Sequence, residues 1–481
     1  ALNMAPETIV GQLRPIMTEQ TIDERMNLEK KSFAGAWEGE FGSMEYQAVM
    51  RKDRAQSITI DWENGESNIL SAAEVYELIF NNDQPWFLSA NGTIFTHEFA
   101  GVIPGLLERW YAERKELQAK RKKAIDAGNK TETAFWDKRQ LVKKINLNSL
   151  YGAILNPGCR FFDTRIGQST TLTGRCITKH MASKTNEIIC GEYDYRGQSV
   201  IYGDTDSVYF SAYQPLKQDI DAGKIPWSKE NVVQLYDSVA EEVNKSFPKY
   251  MQEAFNCPTS YGKLIAAGRE AVGSKGLFIT KKRYAMKIYD LEGEPVDKIK
   301  AMGLDLKRSD TPAYIQDFLS DVLDKVLIGA EENDVMEFIA DFRLEFKKMP
   351  GWEKGSPRRV NKLTEYHSRE KRKGKINMPG HVRAAINWNT LKKVYNDKYS
   401  MDIIDGQKCI VCKLKDNPMG YTSIAYPTDE LRIPDWFKEL PFADDEMEST
   451  LINKKLDNLI GVLDWDLGNS EADNTFDKLF G

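Results

Sequence analysis

Cysteine is scarce in this chain: six in 481 residues, scattered and without a dense framework. That excludes a disulfide-stapled fold and fits a reducing cytoplasm. No apolar run approaches the ~20 residues needed to cross a bilayer, so no segment reads as a membrane helix. Internal repeats and long low-complexity tracts are missing as well. One pair, Cys409-Ile-Val-Cys412, has metal-like spacing, but no second Cys or His pair lies near it. It falls in a β-rich run from Lys408 to Leu414 and reads as a buried strand. An excess of basic charge is also lacking, with a formal net charge of −6 and a pI of about 5.6. For a nucleic-acid binder that balance looks wrong, until its distribution is followed.

The charge is segregated along the chain. From Arg114 to Lys144 there are 11 Lys/Arg against 4 Asp/Glu; from Lys354 to Lys375, 9 against 2; from Glu439 to the end, 3 against 11. Basic stretches are usually solvated faces, so each is suggestive only in context. A length of 481 residues predicts two to four domains, and 41% hydrophobic with 11% aromatic content predicts folded domains with ample core.

The richest stretch is Ile201-Tyr-Gly-Asp204-Thr-Asp206-Ser-Val-Tyr-Phe210. Strand formers (Val200 to Tyr202, Val208 to Phe210) flank a Gly-Asp-Thr-Asp turn, which predicts a β-hairpin with two carboxylates at its tip. Asp is a common turn residue, so the pair alone is an ordinary turn. It is also a way to hold a hard divalent cation, which wants carboxylate oxygens and keeps positions open for water and phosphate. About fifty residues earlier, Thr133 to Leu155 predicts a helix stopped by Asn156-Pro157-Gly158. Lys144, Asn148, Tyr151 and Gly152 share one face of it. Leu141, Val142 and Ile145 are expected to pack it. Before it, a helix is expected from His97 to about Ala127, continuing past Pro104, with Gly128-Asn129-Lys130 turning the chain into an antiparallel pair. Short strands are expected at Gln56 to Trp62 and Thr93 to Phe95. Residues 312 to 348 read as helical and 400 to 426 as β-rich.

The string Tyr202-Gly-Asp-Thr-Asp-Ser207 resembles the catalytic hairpin of family-B DNA polymerases. Lys144, three residues, then Asn148-Ser-Leu-Tyr-Gly152 resembles that family's fingers signature, in the right order and at the right distance. Ala5-Pro-Glu-Thr-Ile-Val-Gly11, Lys281-Lys-Arg-Tyr284 and Met302-Gly-Leu-Asp-Leu-Lys-Arg-Ser-Asp-Thr-Pro312 are similar to further family segments. Pro379 to Asn389 is similar to a thumb segment of T-even phage replicative polymerases, the group this chain resembles most. The resemblance runs over nearly the whole chain.

It implies an α+β right-hand fold: an antiparallel-sheet palm at 1–98 and 157–303, two-helix fingers at 99–156, a mostly helical thumb at 304–474 and a clamp-binding tail at 475–481. The implied activity is template-directed DNA polymerisation, transferring a nucleotide from dNTP to a primer 3′-OH with two Mg²⁺ ions, in an infected bacterial host's cytoplasm. Asp206 would ligand both ions, with Asp204 supporting them. Arg114 and Lys144 would grip the triphosphate, and Lys144 could give a proton to the leaving pyrophosphate. Asn148 and Tyr151 would face the nascent base pair. Lys281, Lys282, Arg283, Tyr284, Lys307 and Arg308 would meet primer-template DNA. Phe476, Leu479 and Phe480 would dock on a sliding clamp.

Two departures stand out. The family's second fingers cation, one turn after Arg114, is here Gln118; Lys120 or Lys122 are the nearby candidates to replace it. The family's Asp-x-x-Ser-Leu-Tyr-Pro-Ser string, with its first metal-binding Asp, does not occur in this sequence. The chain is therefore expected to be a polymerase-core subunit or fragment completed by an N-terminal polypeptide carrying that Asp and an exonuclease. The alternative is a non-catalytic DNA-binding and clamp-docking remnant. A reverse transcriptase is disfavoured by the order of the two motifs. Arg269-Glu270 resembles a palm pair near the carboxylates, or is a structural ion pair. Asp290 matches an Asp of the phage enzymes and has no assigned role.

Overall fold

The computed structural model describes residues 2–14, 54–374 and 376–467. Helices and antiparallel sheets are segregated along the chain, an α+β architecture. By contact density it divides into two units, 1–269 and 270–481.

The first unit opens with a five-stranded antiparallel sheet. Its strands are β1 (Ile9–Leu13), β2 (Ser57–Trp62), β3 (Ser67–Ser71), β4 (Trp86–Leu88) and β5 (Thr93–Thr96), in spatial order β3-β2-β1-β5-β4. Alternate residues Ile58 and Ile60 of β2 are buried with Leu13, Leu88 and Ile94, as a half-buried sheet requires. Over this sheet lies α1 (Ala72–Tyr76), capped by Ser71, whose hydroxyl accepts from the Glu74 amide while the Glu74 carboxylate accepts from the Ser71 amide.

Two 25-residue helices follow, α2 (Val102–Asp126) and α3 (Lys130–Ile154). Gly128, at φ +67°, makes the turn, and the Asn129 side chain caps α3 by accepting from the Glu132 amide. The start of α2 differs from the expectation: the helix begins at Val102, so Pro104 lies within its first turn instead of inside it. A proline ring removes an amide needed deeper in a helix, but none needed there. Instead of earlier helical turns, Asn3 Oδ1 accepts from the Gly101 amide at 2.8 Å and Glu7 Oε1 from the Val102 amide at 2.6 Å.

Two long helices form the rest of the scaffold: α4 (Thr164–Cys190) and, after the hairpin of β6 (Val200–Asp204) and β7 (Ser207–Phe210) and the short α5 (Tyr213–Asp221), α6 (Lys229–Phe255). Ile166, Leu172 and Cys176 of α4 share a core with Met251 and Phe255 of α6 and Phe87 and Phe95 of the sheet. Gly167 lets α4 approach the Leu155 side chain closely: a Cβ there would come within 2.0 Å of Leu155 Cδ2, which would have to move aside. A buried polar net joins the β4–β5 turn to α4: Asn91 Oδ1 accepts from the hydroxyls of Ser89 and Ser169, both at 2.7 Å.

Between α4 and α6, His180 is buried with its ring stacked on Tyr250 at 3.9 Å. Its Nδ1 lies 2.7 Å from the Tyr193 hydroxyl and its Nε2 2.8 Å from Ser246 Oγ. Burial, aided by Lys184, pushes the imidazole down to about 4. The unfolded chain takes up this proton near pH 6.5, the folded one only near 4, so the contribution is complete above 6.5 and lost as pH falls between those values. The expected loss is about 2 kcal/mol, read as a falling urea midpoint from pH 7 to pH 4. His180→Gln should flatten that slope; an unchanged slope would contradict the assignment. His381, also lowered by burial and Arg358, leaves some residual slope.

The second unit carries a three-stranded meander, β8 (Ala271–Thr280), β9 (Arg283–Leu291) and β10 (Glu294–Met302). Its β9–β10 turn has Glu292 at φ +54° and Gly293 at φ +88°, the signs a type I′ hairpin needs. The buried Asp290 receives the Gly293 amide at 3.1 Å, which places it in that turn. Helices α7 (Ala313–Ile328) and α8 (Glu332–Lys348) fill the expected helical region and share a core with Ala285 of β9. A second core lies around α10 (Gly380–Val394), preceded by the basic helix α9 (Leu363–Lys373). It is covered by the sheet of β11 (Ser356–Arg359), β12 (Lys408–Lys413) and β13 (Ser423–Pro427). Cys409 and Cys412 lie in β12, as expected of a buried strand. Among the described residues no helix is long and apolar enough to cross a membrane.

Candidate functional site

The hairpin forms where the sequence predicts it, with Tyr202 opposite Tyr209, Gly203 opposite Val208 and Asp204 opposite Ser207. Ile201 is the extra residue of a bulge between Val200 and Tyr202 and is exposed. The base is closed by the Ser211 amide donating to the Ser199 carbonyl at 2.8 Å. Asn186 of α4, fully buried, fixes the approach to β6: its Oδ1 accepts from the amide and hydroxyl of Ser199, and its Nδ2 donates to the Glu192 carbonyl. The rings of Tyr202 and Tyr209 meet at 5.7 Å, and Phe210 contacts Tyr236 of α6 at 4.9 Å.

At the tip, Thr205 has φ +53°. A β-branched residue rarely accepts that left-handed conformation, and such strain is held only where surrounding contacts enforce it. The enforcing contacts are local and from α4. The Asp206 amide donates to the Asp204 carbonyl at 2.6 Å, the Ser207 hydroxyl to the same oxygen at 3.1 Å, and the Thr178 hydroxyl of α4 to the Thr205 carbonyl at 2.9 Å. Asp204 is half-buried, its Oδ1 accepting from the Thr205 hydroxyl at 3.1 Å; Asp206 is exposed, and among the described residues its carboxylate accepts no hydrogen bond. Two hard oxygen donors one residue apart on a braced turn suit a divalent cation that keeps water and phosphate ligands. Among the described residues no three His, Cys, Asp or Glu side chains stand together, so the turn offers part of such a ligand set.

On α3, Lys144, Asn148 and Gly152 form one exposed line, and Tyr151 is half-buried with its hydroxyl 3.5 Å from the Gly167 carbonyl. Among the described residues no carboxylate pairs with Lys144. The apolar residues expected to pack this helix do not: Leu141, Val142 and Ile145 are 45%, 55% and 53% exposed. The face turned inward is Lys143, Leu147, Leu150 and Ile154, at spacings of four, three and four. The seam with α2 is mostly polar. Lys143 pairs with Glu113 beside the Trp110 ring, Arg121 with Asp137 at 3.0 Å, and Lys120 lies over the Trp136 ring. Arg114 donates to Gln140 at 3.3 Å, which orients it within this seam. Gln118 also faces inward, half-buried, whereas Lys120 and Lys122 are exposed.

In the second unit, Lys281 and Lys282 are exposed at the β8–β9 turn, with Lys282 at φ +64°. Gly303 permits that turn, since a Cβ there would lie 2.1 Å from the Lys282 carbonyl oxygen. Arg283 donates to the Asn458 carbonyl at 2.9 Å, and Tyr284 is buried with its ring stacked on Phe278. Lys307 is exposed, while Arg308 is held by Asp310 at 3.0 Å. Arg308, with Arg358, keeps the Asp310 carboxyl below the usual carboxylate range. Arg269 pairs with Asp237 at 2.7 Å and Glu270 with Lys300 at 2.8 Å, so each is a structural ion pair with a different partner. Phe476, Leu479 and Phe480 lie outside the described residues.

Linear reading missed two features of the tip: the backbone of Thr205 and its contact with Thr178. Neither has a sequence signal, because threonine is disfavoured at positive φ and nothing in α4 marks one hydroxyl among many.

Comparison with known proteins gives a family-level match: the model of DNA polymerase family B matches residues 57–379. The chain is 28% identical over 311 residues to the DNA-directed DNA polymerase of Enterobacteria phage T4, covering 60% of this chain and 33% of that protein. It is 29% identical over 303 residues to the DNA-directed DNA polymerase of Escherichia phage RB69, again 60% and 33%. It is 28% identical over 251 residues to the DNA polymerase alpha catalytic subunit of Arabidopsis thaliana, covering 52% of this chain and 14% of that protein. The matched stretch thus spans about a third of the phage relatives.

Proposed function

The chain belongs to DNA polymerase family B, and from that premise we propose that it is the polymerase core of a phage replicative enzyme, transferring nucleotides from dNTP to a primer 3′-OH. The observation that carries this reading is the braced Asp204-Thr205-Asp206 tip, with one carboxylate exposed and unengaged among the described residues. Residues 1–98 and 157–303 form the palm, α2 and α3 within 99–156 the fingers, 304–474 the thumb, and 475–481 a clamp-binding tail. Asp206 and Asp204 would hold Mg²⁺, which when bound supplies charge neutralisation for the attacking and leaving oxygens. Two carboxylates among the described residues are only part of such a set, and in this reading an N-terminal polypeptide, which the family resemblance implies, supplies a further Asp together with an exonuclease. The enzyme works in an infected bacterial cell, on primer-template DNA and with a sliding clamp.

In this reading the chain's own residues divide the work. Lys144, exposed one turn before Asn148, meets the triphosphate and gives a proton to the leaving pyrophosphate; Arg114, oriented by Gln140, adds a second cation. Asn148 and the half-buried Tyr151 border the nascent base pair. Lys281, Lys282 and Lys307 meet backbone phosphates, while Arg283, Tyr284 and Arg308 shape the surface around them.

Separate titrations of nucleotide and duplex test the division, with the chain supplied with its completing polypeptide. Lys144→Ala should raise the apparent KM for dNTP or lower the incorporation rate by at least ~10-fold, with duplex affinity nearly unchanged. Lys282→Ala should weaken primer-template binding and reduce its salt slope by roughly one unit. The same defect in both variants would overturn the assignment. No template-directed incorporation by the completed enzyme would favour the DNA-binding remnant instead.

A further inference from the structure

We infer that Thr178, on α4, is a positioning residue for the metal-binding turn, an inference that rests on the functional reading above. The argument starts from the strain at Thr205. At φ +53° its backbone lies in a region that β-branched side chains avoid, and a neighbouring extended or right-handed conformation would be preferred in isolation. Changing φ at this residue rotates the peptide planes on either side of it. Those planes carry Asp204 and Asp206, so the relative aim of the two carboxylates depends on this one dihedral.

Among the described residues, three side-chain or amide contacts lie within the turn: the Asp206 amide and the Ser207 hydroxyl donate to the Asp204 carbonyl, and the Thr205 hydroxyl donates to the Asp204 carboxylate. None of them touches the Thr205 carbonyl. That oxygen is reached from outside the hairpin by the Thr178 hydroxyl, 2.9 Å away. The same hydroxyl lies 3.0 Å from the Gly174 carbonyl one turn earlier, an ordinary back-bond that fixes its rotamer and shares the proton. Thr178 is therefore pre-aimed by its own helix.

The helix itself is immobilised on both sides of this point. On one side Ser169 binds Asn91 and the Thr173 hydroxyl receives the Ala90 amide; on the other His180 lies between Tyr193 and Ser246, and Asn186 clamps Ser199. The turn is thus referenced to a rigid element through one side-chain hydroxyl, as a metal ligand set needs if it is to stay in register. Thr178 touches no reacting atom; its effect passes through the peptide between Thr205 and Asp206.

Three variants test this in the completed enzyme. Thr178→Val keeps the shape and deletes the hydroxyl. It should lower the single-turnover incorporation rate about 3- to 10-fold, as loss of one hydrogen bond predicts, with the Kd for primer-template unchanged. Mn²⁺ binding by the chain, followed through the signal of free Mn²⁺, should weaken by a similar factor, a readout independent of turnover. Thr178→Ser should restore both, which a merely structural role for the methyl group would not. Asp206→Ala serves as the reference. If it is inactive while Thr178→Val matches the parent in rate and Mn²⁺ affinity, the positioning role is wrong and the catalytic reading stands. If Asp206→Ala is active, the catalytic reading itself fails.

Discussion

Asp206→Ala is expected to lower nucleotide incorporation by at least ~10³-fold, several kcal/mol of transition-state stabilisation, because it removes the exposed carboxylate of the turn. Primer-template affinity should stay within a few-fold, since duplex is held mainly through backbone contacts made by other residues. The fold should be unaffected: the Asp206 side chain makes no hydrogen bond among the described residues, and the turn uses only its amide. Asp204→Ala should be milder in chemistry, yet it also removes the acceptor for the Thr205 hydroxyl at 3.1 Å, so some loss of tip order accompanies it. Rapid-quench incorporation at saturating dNTP, alongside filter binding of duplex, separates these outcomes. Near-normal turnover by Asp206→Ala would remove the hairpin from the mechanism.

The largest effect on stability is expected at Trp388. Its indole is buried completely in the second core, between Trp436 at 5.2 Å and Phe437 at 5.3 Å, and its Nε1 donates to the Met401 carbonyl at 2.9 Å. Trp388→Ala would leave a cavity of most of a ring system and a carbonyl without its donor, costing about 4–5 kcal/mol. Trp388→Phe should cost about half as much, because it retains part of the ring contact while losing the N–H. Denaturant midpoints followed by near-ultraviolet circular dichroism measure both. A loss under 1 kcal/mol for the alanine variant would show that this core collapses around the gap.

The hairpin, the helix α3 and the buried cysteine strand are all legible in the sequence. In each, local chemistry and tertiary environment agree: strand formers flank a turn, a Pro-Gly pair stops a helix, and a β-rich run buries both of its cysteines. The reading failed where packing broke that agreement. Leu141, Val142 and Ile145 look like a core stripe, but α3 is paired along Lys143, Leu147, Leu150 and Ile154, with charge and aromatic contacts across the seam. Hydrophobicity alone cannot tell which side of a long helix meets its neighbour when the neighbour is itself highly charged. Tyr284 illustrates the converse. Its place in a basic string suggests a DNA contact, yet both faces of β9 are covered there, Ala285 by the helical core and Tyr284 by Phe278, while Lys281 and Lys282 at the turn stay exposed. For the carboxylate pair, sequence located the groups but not the conformation between them, because positive φ at a threonine is imposed by the contacts around it.

The polar seam of the α2–α3 pair has a mechanical meaning. Its apolar anchorage is concentrated at the root, where Ile103 and Ile154 enter the core with Leu107 and Leu150 beside them, while the outer turns meet through charged and amide groups. Such a pair is a cantilever, anchored in the core at its base and projecting beyond it. With ~1.5 Å of rise per residue, the far tip stands ~36 Å from Ile154 and Lys144 ~15 Å from it, so a pivot of about 10° displaces the tip by ~6 Å and Lys144 by ~2.6 Å. Lys144 thus sits where a small swing carries its ammonium group by one contact distance, and Asn148 and Tyr151, nearer the fulcrum, travel less.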